Sequence, residues 1–185
     1  ENFGALPENF QDREWTVLEQ SADGPAFAVF EDSSDGQDIS RLVRFDFDAG
    51  GLTGADGVGG ITLQDNDAPI SGVAAAAISD NTLTVVGDRG SGPELFTVNA
   101  NTAQGESLGL LPQTSLDAIV DLAFAVDPAT GASILHAVLE GEGDGAGSGQ
   151  QLARINTGAG VSVSVLGGIR DASRGLTVDS IVDLD

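Results

Sequence analysis

The stretch LVRFD at residues 42–46 recurs twice further along the chain, and this recurrence decides the fold. Its echoes are LFTVN at residues 95–99 and LARIN at residues 152–156, so the copies begin at Leu42, Leu95 and Leu152, 53 and 57 residues apart. Periods of this length are typical of stacked or radial repeat architectures, in which one unit cannot bury its own apolar face. We therefore expect three copies of one supersecondary unit.

Short apolar runs separated by turn residues predict an all-β fold with four strands, A to D, in each unit. The alanine run 74–77 favours helix locally, but its equivalents in the other units are strand-like, so it is assigned to a strand. The predicted strands are 15–20, 25–31, 41–46 and 60–63 in unit one; 70–78, 82–87, 94–99 and 107–111 in unit two; and 118–126, 133–140, 151–156 and 161–166 in unit three. A further A-type strand is predicted at 180–184, and residues 1–13 are predicted to form an N-terminal arm ahead of a repeat domain at 14–185.

The distribution of apolar residues indicates which strands lie inside. The A strands of units two and three are apolar on both alternating faces, as expected of strands buried on both sides. The C strands alternate instead, with Leu42, Arg44 and Asp46 on one face and Val43 and Phe45 on the other. A crowded inner strand followed by more polar outer strands is typical of a propeller blade. The sequence DPATG at 127–131 supplies the turn from A to B in unit three.

The strings TLTVVGDRG, LFTVNANTAQGESLG and IVDLAFAVDPATG resemble those of secreted bacterial β-propeller repeat proteins, among them the phytase-like esterase propellers. The resemblance covers roughly residues 15–185. It implies propeller-like, four-stranded antiparallel blades, and it carries over no catalytic residue. The chain has seven scattered arginines and no lysine. Because phosphate is usually bound by arginine or lysine, a phosphate pocket of the phytase kind is not expected.

Three blades and one extra strand form an incomplete ring, because propellers typically have four to eight blades. The chain could be part of a longer protein, two copies could close six blades, or the units could stack as an open structure capped by partners. An open end exposes unpaired strand edges that invite pairing with another chain. We therefore expect other protein subunits, identical or different, as partners.

The charge of the chain limits its partners further. With 29 acidic residues against 7 arginines, the formal net charge is −22. Such a surface repels nucleic acid and anionic membranes, and it suits high salt or cation binding. No run of 18 apolar residues is present, so no membrane insertion is expected. The charge, the glycine content and a first residue other than Met favour an extracellular or periplasmic location.

The loops between strands B and C are the acidic ones, and they are the candidate sites. Asp32, Asp35 and Asp38 are three residues apart with Gly36 between them, which is compatible with a flexible Ca²⁺ loop, although the spacing is not that of an EF-hand. The alternative is a solvated acidic loop. Asp88-Arg89-Gly90 in unit two is interpreted as a turn with a local ion pair or, alternatively, as a substrate contact.

Nothing in the chain forms a nucleophilic triad. There is no cysteine, no serine stands in a G-x-S-x-G context, and the one histidine, His136, lies in the middle of a predicted strand. The first hypothesis is therefore a non-enzymatic, extracytoplasmic structural or interaction module within a larger assembly. The alternative is a calcium-dependent, hydrolase-type propeller acting from the acidic loops, and a third option is a salt-adapted sugar-binding module.

Overall fold

The computed structural model of the chain is all-β, which confirms the all-β part of the predicted fold class. It describes residues 15–20, 24–33, 36–49, 51–112, 116–141, 150–171 and 176–177, and no helix is present among them. Correspondingly, no described segment is a helix long and apolar enough to cross a membrane. The chain divides into two compact units, Glu1–Ser107 and Leu108–Asp185, and the predicted repeat domain at 14–185 extends over both.

The first sheet, sheet I, is an antiparallel meander of four strands in the order β1-β2-β3-β4. Its strands are β1 (Trp15–Gln20), β2 (Ala26–Asp32), β3 (Ile39–Asp48) and β4 (Gly51–Gly60). The pairing of β3 with β4 shifts register twice, where the glycine-rich β4 bulges away from its partner. Sheet I is thus the predicted A-to-D unit, with its fourth strand in a different place.

The second sheet, sheet II, has five strands in the order β5-β9-β8-β7-β6. The strands are β5 (Thr62–Leu63), β6 (Ser71–Ser79), β7 (Thr82–Asp88), β8 (Pro93–Asn99) and β9 (Gln104–Leu110). Strands β6 to β9 are the expected meander, and β6 confirms that the alanine run is extended. The short β5 is added to the outer edge, parallel to β9.

The third sheet, sheet III, corresponds to the predicted unit three. It lies in the second compact unit and has the order β10-β11-β12-β13. Its strands are β10 (Leu116–Val126), β11 (Ser133–Gly141), β12 (Gln151–Asn156) and β13 (Ser162–Gly168). A two-stranded hairpin of β14 (Arg170–Asp171) and β15 (Leu176–Thr177) follows. The sequence did not predict this hairpin.

The fourth strand of unit one was predicted in the wrong place. Residues 60–63 were expected to be strand D, but strand D is β4 (Gly51–Gly60), and Thr62–Leu63 form β5 in the next sheet. The sequence GLTGADGVGG has too few apolar side chains to show an alternating pattern, so its strand is determined by pairing with β3. The predicted arm at 1–13 and the strand predicted at 180–184 lie outside the described residues.

An apolar core joins sheets I and II within the first unit. Phe27 and Leu42 of sheet I lie in one buried cluster with Val85 and Phe96 of sheet II, each no more than 1% exposed. The segment between the sheets contributes Ile61 and further side chains. Because β1, β2 and β3 all contact β6, sheet I packs against the first strand of sheet II. We refer to this cluster as the inter-sheet core.

Sheet I is apolar on its other face as well. Ala28, Phe30, Val43 and Phe45 form a separate buried cluster that Trp15 borders. The Trp15 ring meets the ring of Phe30 edge-on, with centroids 5.4 Å apart and planes at 82°. Phe30 and Phe45 therefore pack on this face of sheet I, whereas Phe27 packs in the inter-sheet core on the other face.

In sheets I and II the second strand is more deeply buried than the first, although the sequence predicted the A strands of units two and three to be the inner ones and β6 does bury four of its nine residues. Five consecutive residues are buried in β2 and five in β7, whereas β1 alternates between half-buried and exposed. Strand β10 ends with Val126 at 69% exposure, although it was expected to be covered on both faces. The reason is geometric, since the second strand has a neighbouring strand on each side and an apolar layer on its faces, while the first has an edge.

Gly87 marks a place where β7 and the start of β6 leave no room for a side chain. A Cβ at this position would lie 2.8 Å from Cγ2 of Ile70 and 3.2 Å from the carbonyl oxygen of Ser71. We predict that Gly87→Ala lowers the free energy of unfolding by about 1–3 kcal/mol, the usual cost of overpacking. Urea denaturation followed by fluorescence of Trp15, the only tryptophan, measures it in the first unit. Gly57→Ala is the control, because a Cβ there meets nothing within 4 Å; equal losses in both variants would contradict the prediction.

The turn from β10 to β11 is built around Asp127, as the DPATG sequence predicted. Its carboxylate accepts hydrogen bonds from the Ala129 amide and the Thr130 hydroxyl, both at 2.8 Å, and Gly131 follows with a φ of 69°. The hydrogen bond from the Ala129 amide, with that from Thr130, holds the pKa of Asp127 below its ordinary value of 3.8.

A carboxyl whose pKa is lowered by folding stabilises the native state above its unfolded pKa, and this contribution is lost as the pH falls through the folded pKa. We predict that carboxyl ¹³C NMR titration places Asp127 below 3.8. Thr130→Val should move its pKa back towards that value, because one donor is removed. A wild-type value at or above 3.8 would refute the hydrogen-bonding account of this turn.

Candidate functional site

The hairpin end of β2 and β3 holds a cluster of paired polar side chains. Arg41 donates from Nε to the carboxylate of Asp32 at 2.5 Å, and Asp32 is 8% exposed. Beside it, the Ser40 hydroxyl donates to Glu31, and the amide of Val73 donates to the Glu31 carboxylate at 3.3 Å. The cluster therefore fixes the end of sheet I to the beginning of β6 in sheet II.

The hairpin end of β7 and β8 holds a second cluster with the same purpose. Glu94 is 2% exposed, and Arg89 grips its carboxylate through two hydrogen bonds, from Nε at 2.8 Å and from Nη2 at 2.7 Å. The Ser107 hydroxyl donates to the same carboxylate. The Arg89 guanidinium also lies 5.7 Å from the centroid of the Phe96 ring. The nearly buried Glu94 carboxylate therefore accepts hydrogen bonds from both Arg89 and Ser107.

The strand register shows that these two ion pairs occupy the same place in the repeat, with opposite sign. Val29 faces Leu42 in sheet I, and Val86 faces Leu95 in sheet II. Asp32 in sheet I and Arg89 in sheet II each lie three residues after the valine of their sheet. Arg41 in sheet I and Glu94 in sheet II each lie one residue before the leucine. At the first position the aspartate of sheet I is therefore an arginine in sheet II, and at the second position the arginine of sheet I is a glutamate in sheet II.

Sheet III carries no such pair at the equivalent place. There Val138 faces Leu152, so the equivalent positions hold Gly141 and Gln151, and neither side chain is charged. What sheets I and II share is the attraction between the two positions.

Both hairpin ends lie at the same end of the two sheets of the first unit. Ser71, two residues before Val73, pairs with Asp88, and Asp88 ends β7. The link between the sheets reaches the same end, because Ser40 donates to the carbonyl of Ile70 and accepts from the amide of Ile61. This agrees with the loop parity of a meander and defines an acidic rim, made of the β2–β3 and β7–β8 hairpin ends.

Two of the three predicted calcium residues, Asp32 and Asp38, are among the described residues. Asp32 is engaged by Arg41, and Asp38 accepts a hydrogen bond from the Ser33 hydroxyl at 2.6 Å. Asp35 lies outside the described residues, so the three-carboxylate site stays a prediction. Within the described ranges, no group of three or more acidic or histidine side chains is placed to hold a metal ion.

The remaining candidates fit structural roles. Asp88 accepts hydrogen bonds from the amides of Gly90 and Gly92, at 2.5 Å and 3.2 Å, which makes the predicted turn, while Arg89 pairs with Glu94 instead. His136 is half-buried in β11 between Ala123 and Arg154 of the neighbouring strands, and its Nδ1 is buried without a hydrogen-bond partner. No nucleophile lies against it in the register of these strands.

Sequence reasoning missed the buried role of Glu94 and the part that Ser107 plays. Glu94 stands immediately before an apolar run, which places it on a strand, and an alignment of the repeats by their LVRFD copies would have set it against Arg41. That comparison, together with the Asp32 and Arg89 positions, is the signal that could have revealed the exchanged pair.

No model of a known protein family matches the chain, and neither a curated protein nor a solved structure matches it either.

Removing Arg89 should leave Glu94 buried without its counter-charge. We predict that Arg89→Ala lowers the free energy of unfolding by about 3 kcal/mol, the lower end for a broken buried pair, because Arg89 itself is 32% exposed. The double variant Arg89→Asp, Glu94→Arg reproduces the arrangement of Asp32 and Arg41, and it should recover more than half of that loss. Urea denaturation followed by Trp15 fluorescence measures both.

Arg44 provides the matched control. It pairs with Asp46 at 2.8 Å in sheet I, where both side chains are 40% exposed. Exposed pairs contribute about 0–1 kcal/mol, so Arg44→Ala should have little effect. If Arg44→Ala and Arg89→Ala destabilise equally, or if the double variant is less stable than Arg89→Ala alone, the pairing account is wrong.

Proposed function

We propose that the chain is a non-enzymatic structural and interaction module, built from propeller-like sheets, that serves outside the cytoplasm as a subunit of a larger protein assembly. The observation that carries this proposal is the exchanged ion pair of sheets I and II. The two rim positions attract each other in both sheets although the charges at the two positions are reversed. We therefore assign them the role of holding the hairpin ends and the sheets in place.

The packing of sheet I supports the propeller-like part of the proposal. Its inter-sheet face packs against sheet II, and its other face, with Phe30 and Phe45, is buried as well. A sheet with two buried faces belongs in the interior of a series of layers, as a blade does in a ring. The contact of β1 with β6 also matches the convergence of first strands that a radial arrangement requires.

The electrostatics of the rim support a non-catalytic role. General acid–base catalysis requires a carboxylate that can reach a substrate, but Glu94 is 2% exposed and saturated by Arg89 and Ser107. A net charge of −22 favours a location where salt screens the self-repulsion, which fits an extracellular or periplasmic setting.

The response to calcium tests this proposal against the calcium-dependent hydrolase. We predict that the melting temperature in millimolar Ca²⁺ equals the melting temperature in NaCl of the same ionic strength, because Arg41 already neutralises Asp32. The measurement is thermal denaturation by circular dichroism in Ca²⁺, in Mg²⁺ and in chelator. The salt-matched control is essential, since screening alone stabilises a chain of this charge. A rise of several degrees with Ca²⁺ but not with Mg²⁺ would reveal a native-state calcium site and overturn the proposal.

A further inference from the structure

Among the described residues, strand β13 is the outer edge of sheet III, and it exposes aliphatic side chains. Ser164 to Gly168 are all exposed, and Val165 and Leu166 are 50% and 57% exposed. The pairing with β12 shifts register once, at Leu166, and on either side of it the strand is regular. Natural edge strands are often blunted by charged side chains or proline, and β13 has neither.

The outer strands of the first compact unit differ from β13 in charge. In sheet I the outer strand β4 contains Asp56, and in sheet II the outer strand β9 contains Glu106 and is paired with β5 at Gln104 and Gly105. Strand β13 has no charged side chain. The β5–β9 pairing is an example within this chain of an outer strand that accepts another strand.

The sequence around β13 is unusual for so acidic a chain. Residues 155–169 form its longest run without an ionisable side chain, and the residues that border this run are Arg154 and Arg170. Arg154 is exposed on β12 and lies opposite Ser164 of β13. Here two copies of a chain with a net charge of −22 can approach without setting carboxylates against each other.

We propose that β13 is a self-association edge, at which the β13 strands of two copies of this chain pair antiparallel about a two-fold axis. The sequence of the strand is complementary to itself in this arrangement. With the axis at Ser164, Val163 of each copy faces Val165 of the other, and such β-branched pairs stabilise antiparallel sheets. Two sheets III then join into one continuous eight-stranded sheet. The inference rests on the proposed function, because it names one partner of that module.

The association is weak at low ionic strength and grows with salt. The two bodies repel each other through their net charge, whereas the pairing strands themselves carry no charged side chain. Sedimentation equilibrium at low and high NaCl, over two orders of magnitude in protein concentration, should therefore give a mass that rises towards the dimer with both concentration and salt.

Val165→Lys tests the edge directly. A lysine in the middle of the pairing strand is a natural means of blocking edge association, and it reduces the net negative charge, so a loss of dimer cannot come from greater repulsion. We expect a monomer under conditions in which the wild-type chain is dimeric. Val126→Lys is the matched control, because Val126 is 69% exposed on β10, the opposite edge of the same sheet, and this variant should still dimerise.

Three outcomes would overturn the proposal: a Val165→Lys variant that dimerises like the wild type, equal loss of dimer in both lysine variants, or a wild-type chain that stays monomeric in high salt. None of these outcomes decides the proposed function, which allows partners other than a second copy and is decided by the calcium response. Circular dichroism spectra of both variants should match the wild type, because both substituted side chains are exposed.

Discussion

Sheets I and II each have more apolar surface than a single sheet can bury, and the architecture of the first compact unit follows from that constraint. The inter-sheet core resolves it for one face of sheet I by packing Phe27 and Leu42 against Val85 and Phe96 of sheet II. At about 25 cal/mol per Å² of apolar surface, side chains of this size contribute a few kcal/mol each. The positions of the hairpin ends, the acidic rim and the outer edges depend on this packing.

The polar groups at the rim are compatible with the core only because they are paired. A buried carboxylate without a partner is costly, yet Glu94 lies among apolar neighbours with a bidentate arginine and a serine hydroxyl to satisfy it. The exchange of sign between sheets I and II indicates that the requirement is for complementarity between two positions. In the described part of the chain, Arg41, Arg44 and Arg89 are each paired with a carboxylate of the same sheet.

Much of the fold could be predicted from the sequence, because alternating apolar residues and turn residues are local signals. The LVRFD copies correctly located strands β3, β8 and β12, and DPATG correctly located the turn from β10 to β11. Strand β4 could not be found in this way, since glycines carry no pattern and the strand depends on its partner. The addition of β5 to β9 joins residues about forty positions apart, which no local signal reveals.

The candidate site was less predictable than the fold. Acidic loops were visible in the sequence, but the pairing of Asp32 with Arg41 requires the hairpin register, and the burial of Glu94 requires the packing of two sheets. With 29 acidic residues, spacing alone cannot separate a metal loop from a set of paired structural carboxylates. The register of the strands makes that distinction for Asp32, Glu94 and their arginines.

The most direct test of the account is native-state hydrogen exchange of the first unit, measured amide by amide. If the inter-sheet core holds sheets I and II together, the central amides of β2 and β7 should exchange only through complete unfolding of that unit, with equal free energies of opening. Amides of the edge strand β1 should exchange faster. If β7 is strongly protected while β2 exchanges as fast as β1, sheet I is not held by the inter-sheet core, and the account is wrong.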